Sequence, residues 1–304
     1  MRTVTDKLVY PEGPIWMTDG SIILVDIADQ SLKRVQTDGT VETIATVAGG
    51  PNGAAMGPDD TVFICNNGGM DWIEVQSGRL RPGLQSASYE CGSIDVVHLP
   101  TGKVRRLYER CGDQPLRGPN DLVFDAHGGF YFTDMGKRRQ RDMDLGSVYW
   151  AKSDGSEIIE VVSGMISPNG IALSPDGRTL YVAETYTGRI WMWPVEAPGH
   201  LRKAEWPSPA GGFLFASPGG RVRFDGLAVS ASGAVYAAAL DSCAVLEFRG
   251  SGGNYALHAL PDPLVTNLCF GGPDMRTCFA TLSHQPRLVA FEVHEPGLPL
   301  QHAS

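Results

Sequence analysis

The sequence predicts an all-β fold, a six-bladed β-propeller built round a central channel. Three observations predict it: turn residues along the whole length, a segment repeated six times, and a repeat spacing with room for about four strands. The 304 residues include 37 Gly and 21 Pro with no linker-like cluster, so a single domain over 1–304 fits better than two joined domains.

The repeated segments begin at Glu12-Gly-Pro-Ile, Asn52-Gly-Ala-Ala, Asn120-Asp-Leu-Val, Asn169-Gly-Ile-Ala, Asp225-Gly-Leu-Ala and Asn267-Leu-Cys-Phe. Each opens on a polar residue, and seven and eight residues later comes a turn: Asp19-Gly20, Asp59-Asp60, His127-Gly128, Asp176-Gly177, Ser232-Gly233 and Asp274-Met275. Glycine at the second turn position supplies the positive φ of a tight hairpin. Short apolar runs follow at 22–25, 62–65, 130–132, 180–182, 235–237 and 278–280, rich in β-branched and aromatic residues as second strands require. Only two clear strands follow the sixth opening strand, so 3–9 is expected to supply the missing outer strand and close the ring.

Composition narrows the function. A net charge of −9 argues against nucleic acid or an anionic membrane as partner. No apolar run is long enough to span a bilayer, and the N-terminus lacks the pattern of a secretory signal, so a cytoplasmic location is expected. Cys65, Cys91, Cys111, Cys243, Cys269 and Cys278 are scattered without a C-x-x-C pair, which predicts free thiols rather than a soft-metal site.

If the segment openings are the inner ends of the first strands, Glu12, Asn52, Asn120, Asn169, Asp225 and Asn267 ring the channel near one mouth. Any one Asn or Asp before Gly can be a turn initiator, but Glu12 has no such preference and holds the same repeat position. Carboxylates gathered in a buried channel need a partner, and a cation is the economical one. Carboxylate and amide oxygens suit Ca²⁺, Mg²⁺ or Mn²⁺; a wide channel with few charges favours Ca²⁺, with Zn²⁺ behind. Asp26, Asn66, Asp134 and Glu184 recur at matching offsets one layer out and are expected to hydrogen-bond around the first set or from blade to blade.

The segments Glu12-Gly-Pro, Arg117-Gly-Pro-Asn-Asp-Leu-Val-Phe-Asp, Ser167-Pro-Asn-Gly-Ile-Ala-Leu-Ser-Pro-Asp-Gly-Arg-Thr-Leu-Tyr-Val-Ala-Glu and Phe224-Asp-Gly-Leu-Ala resemble the senescence marker protein (regucalcin) and gluconolactonase family across nearly the whole chain. The resemblance implies a lactone-opening hydrolase whose divalent metal is held by Glu12, Asn169 and Asp225, with Asn120 beside metal and substrate. For water attack on a lactone carbonyl Asp225 is the candidate base, with a metal-bound hydroxide or direct attack by Asp225 as alternatives. In regucalcin-like members an Arg stands two residues before the Asn matching Asn120. Here Arg117 stands three before it, and is carried as a substrate-binding candidate.

The expected partner is therefore a small lactone. The same site could serve a phosphotriester hydrolase, and a non-catalytic calcium- or protein-binding propeller is the alternative outside enzymes. No G-x-S-x-G elbow, H-E-x-x-H pair or phosphate-binding glycine loop points elsewhere. Specificity is expected from loops at the channel mouth, chiefly the insert 66–117, whose Trp72, Tyr89 and Tyr108 are candidates for pocket walls or packing.

Overall fold

A computed structural model describes residues 1–75 and 78–302. Six antiparallel sheets follow one another along the chain. Their innermost strands are Pro11–Trp16, Pro51–Gly57, Pro119–Phe124, Pro168–Leu173, Arg223–Val229 and Val265–Gly271, opening blades 1 to 6 in turn. Each packs against the innermost strands of both neighbouring blades, and the first meets the sixth, so they close a ring around a channel. This is the six-bladed propeller the repeat predicts.

Each innermost strand turns back into a fully paired second strand, such as Ile22–Asp26 in blade 1 or Thr179–Glu184 in blade 4. The residue at the matching turn position has positive φ in every blade: Gly20, Gly128, Gly177 and Gly233, but also Asp60, a residue type that tolerates it, and Met275. The expected closure is present too. Arg2–Thr5 pairs antiparallel with Arg287–Glu292 as the outer strand of blade 6.

Apolar residues on both faces of the middle strands bury themselves between blades rather than within one core. Among the described residues six apolar clusters form, one at each blade-to-blade interface. Val25, Ala54 and Ile64 lie in the cluster between blades 1 and 2, for example, and Phe63, Phe124 and Phe130 in the next. That packing leaves the channel to the polar residues at the strand openings.

Two departures concern the loops. The insert within 66–117 supplies the outer half of blade 2, Ser93–His98 and Lys103–Tyr108, a hairpin standing off the sheet, Met70–Val75 and Arg79–Gln85, and a short pair, Arg110–Cys111 with Gln114–Pro115. Tyr108 belongs to the core between blades 2 and 3, Trp72 packs on Tyr10 with ring centroids 5.0 Å apart, and the Tyr89 hydroxyl donates to the Arg117 carbonyl. These aromatics pack. All six cysteines are free, and among the described residues no helix is long and apolar enough to cross a membrane.

Candidate metal and substrate site

In every blade the pairing register of the innermost strand shifts within its first few residues, at Glu12/Ile15, Pro51/Ala54, Pro119/Leu122, Pro168/Ile171, Phe224/Leu227 and Val265/Asn267. Such bulges re-aim side chains and recur beside functional sites. Here they turn Glu12, Asn52, Asn120, Asn169 and Asp225 into one cavity of ≈ 350 Å³ at the channel mouth. All five side chains are buried.

The sixth position is Thr266, not Asn267. Leu268 pairs with Ala280 as Leu227 pairs with Ala237 and Leu122 with Phe132, which sets Thr266 level with Asp225 and Asn120. The blade 6 strand carries one more residue before its turn, so counting back from Met275 overshoots by one, and a one-residue slip reverses a side chain's face. Thr266 lines the mouth cavity, whereas Asn267 belongs to the next layer down, where Gly13, Gly53, Asp121, Gly170 and Gly226 lie in close contact.

That lower layer has room for two side chains only. A Cβ on Gly226 would come 2.1 Å from Asn267 Oδ1, and one on Gly53 would come 2.4 Å from Asp121 Oδ1. Asp121 and Asn267 therefore plug the channel beneath the site. Asn267 Nδ2 donates to Glu12 Oε2 at 2.8 Å and reaches Asp121 Oδ2 at 3.5 Å. Gly13 N–H also donates to Glu12 Oε2, at 2.6 Å, so two donors fix that oxygen.

Thr185 orients Asn169. Its hydroxyl donates to the Phe224 carbonyl at 2.8 Å, so towards Asn169 it can only accept, and it takes a bond from Nδ2 at 3.0 Å. The opposite edge of that amide is the oxygen.

The outer polar set holds the strand openings within each blade rather than bridging blades. Asp26 accepts from the Val9 and Tyr10 amides, Asn66 from Gly50, Asp134 from Arg117, Gly118 and Gly136, and Glu184 from Ile166. Each acceptor caps amides just ahead of the proline that starts an innermost strand, where proline itself has no N–H to pair.

Burial pushes the Glu12 carboxyl up to about 7, and pushes Asp225 and Asp121 well above the usual carboxylate range, with the Glu12 charge adding to the effect at both. Like charges in a desolvated channel favour the protonated acids. A divalent cation removes that conflict, and the donors present, carboxylate and amide oxygens, are those a hard cation takes. Among the described residues no three His, Cys, Asp or Glu side chains are gathered for a metal, so the candidate set needs amide oxygens as well as Glu12 and Asp225.

Arg117 stands apart. Its side chain is exposed and does not line the cavity; only its backbone contributes, through the Asp134 and Tyr89 bonds. Residues that the repeat does not mark line the cavity instead, among them Tyr10, Arg81, Lys137, Arg138 and Arg223.

The sequence profile described as the SMP-30/Gluconolactonase/LRE-like region matches residues 10–284. A lactonase, drp35, of Staphylococcus epidermidis is 27% identical over 198 residues, 64% of this chain and 54% of that protein. A gluconolactonase of Zymomonas mobilis is 25% identical over 223 residues, 66% of this chain and 56% of that protein. The matches thus span little more than half the length of these relatives. Among solved structures, a calcium-binding regucalcin of Agrobacterium tumefaciens superposes with a TM-score of 0.74 at 20% identity, over 98% of this chain and 94% of that one. A Xanthomonas campestris gluconolactonase gives 0.73 at 23% identity, over 97% and 88%.

Proposed function

Because this chain belongs to the SMP-30/gluconolactonase family, we propose that it is a metal-dependent hydrolase that opens a small lactone, working as one propeller domain over 1–304. The observation that carries the reading is the convergence of Glu12, Asn120, Asn169 and Asp225, from four blades, on one cavity. Lactonase and gluconolactonase relatives support the reaction class, and the calcium-binding structural neighbour supports the cation.

Glu12, Asn169 and Asp225 would hold one divalent cation, Ca²⁺ before Mg²⁺, Mn²⁺ or Zn²⁺. Bound there, it supplies Lewis acidity towards a carbonyl and makes water a better nucleophile.

The chain's own residues do the rest. Glu12 stays fixed through the bonds from Gly13 and Asn267, and Asn169 through Thr185. Asp225 accepts the proton of the attacking water, with attack by its own carboxylate as the alternative step. Asn120, buried at the same wall, donates to the lactone oxygens and orients the ring. The blade 2 hairpin shields the mouth: Arg79 meets His284 of blade 6 at 2.9 Å, and the Gln85 amide donates to the Arg138 carbonyl of blade 3.

The test is opening of a lactone panel (aldonolactones, γ-butyrolactone, dihydrocoumarin) by metal-stripped protein with each cation restored in turn. Opening that returns with a cation supports the proposal. Binding of cations without any opening turns the reading towards phosphotriesters or a binding scaffold.

A further inference from the structure

The charges lining the mouth cavity run against those of the chain. The protein carries 25 Lys and Arg against 34 Asp and Glu, yet four basic residues, Arg81, Lys137, Arg138 and Arg223, line the cavity beside two acids, Glu12 and Asp225. Lys137 is buried, but the three arginines lie further out than the acids. Glu12 and Asp225 are buried at the floor, Arg223 is half-buried, and Arg81 and Arg138 are exposed at the rim.

Two of the four have local work. Lys137 Nζ donates to the Asn67 and Gly69 carbonyls at 2.6 and 2.7 Å and lies over the Tyr89 ring, which fastens the base of the hairpin. Arg223 pairs with Asp241 at 2.9 Å. Among the described residues the Arg138 guanidinium reaches only the Tyr186 hydroxyl, at 3.4 Å, and Arg81 enters no ion pair. Arg81 and Arg223 come from different walls, the hairpin and blade 5, yet line one cavity.

We propose that the lactone taken by this site is an acidic one, its carboxylate held by Arg81, Arg138 and Arg223 at the rim while its ring reaches the Glu12–Asp225 floor. The proposal rests on the lactonase reading and narrows its substrate class. Floor and rim then divide the work. A divalent cation balances the two floor carboxylates and leaves Arg81 and Arg138 without a resident counter-charge, while Arg223 shares its own with Asp241. A planar guanidinium fork matches a carboxylate better than it matches a hydroxyl or a methyl group. A cavity of ≈ 350 Å³ sits near the lower end for small-ligand sites and suits one ring with one such substituent.

A matched pair tests it: γ-carboxy-γ-butyrolactone against γ-valerolactone, which differ by carboxylate for methyl on the same ring. The expected result is a kcat/KM at least about tenfold higher for the acid, a KM for the acid that rises with added salt, and a preference that collapses towards one in Arg81→Met and Arg138→Met. Calorimetry with tetrahydrofuroate and tetrahydrofurfuryl alcohol gives a readout without turnover, and the acid should bind more tightly to wild type but not to Arg81→Met. Equal opening of both lactones with equal binding of both probes overturns this inference and leaves the lactonase reading standing. Opening of neither lactone, with preferential binding of the acid, overturns the lactonase reading while the rim assignment survives. A preference that persists in both Arg variants overturns the rim assignment.

Discussion

Asn267 donates its side-chain amide to Oε2 of Glu12 at 2.8 Å, joining the sixth blade to the first across 255 residues of sequence. With the Gly13 amide on the same oxygen, the bond fixes how Glu12 meets the cavity, so the carboxylate does not have to be ordered when a cation arrives.

Replacing Asn267 with Ala removes that donor and opens space in the channel plug. Ca²⁺ affinity should fall by about 10–100-fold with the propeller intact, as measured by calorimetry and circular dichroism. Unchanged affinity would mean that Gly13 alone suffices to hold Glu12.

Thr185→Val keeps the shape but removes the hydroxyl between Asn169 and the Phe224 carbonyl. Two buried groups lose a partner, so stability should drop by about 1–3 kcal/mol in denaturant titration. The freed Asn169 amide can then rotate, and cation affinity should weaken with it. Loss of stability with full affinity would confine Thr185 to joining blades 4 and 5.

Stability of the metal-free protein should depend on pH in the sense opposite to most acids. Glu12 titrates near its ordinary 4.5 in the unfolded chain and at about 7 in the folded one, so between these values the native state holds more protons and stability falls as pH rises. Asp225 and Asp121 shift in the same direction. The expected loss is on the order of a few kcal/mol from pH 4.5 to 7, and saturating Ca²⁺ should restore it at pH 7 and above. Thermal melts at fixed ionic strength, with chelator or with Ca²⁺, check both halves; a metal-free melting temperature that climbs through this window contradicts the burial argument.

Removing residues 1–6 takes away the outer strand of blade 6 and uncovers the edge of Arg287–Glu292. The truncated chain should melt at lower temperature and self-associate, because an unpaired strand edge recruits other chains. Thermal denaturation with light scattering measures both. An unaltered melt would show that the ring holds closed through its innermost strands.

The fold was legible because the propeller repeats one local code: a polar opening, a turn residue of positive φ eight positions on, then a β-branched run. Even the closing N-terminal strand followed, since blade 6 was one strand short. Glu12 stood out because glutamate has no reason to initiate a turn. What could not be read from spacing was register and reach. Spacing sets Asn267 one layer too high because blade 6 has an extra residue before its turn, and no repeated side chain marks Asp121 because glycine fills its position in four of the six blades. Arg81 and Arg223 lie outside the repeat pattern, and only the hairpin's path over the mouth brings Arg81 to the cavity. Arg117 shows the converse: a residue next to the motif whose side chain is exposed and does not line the cavity.

The most direct test of the central claim is a paired measurement of Ca²⁺ binding and lactone opening on wild type, Glu12→Gln and Asp225→Asn. One Ca²⁺ per chain in wild type, with binding weakened by at least about tenfold in both variants and opening lost alongside it, is the predicted result. Undiminished lactone opening by chelator-treated wild type, or by Asp225→Asn, would contradict it.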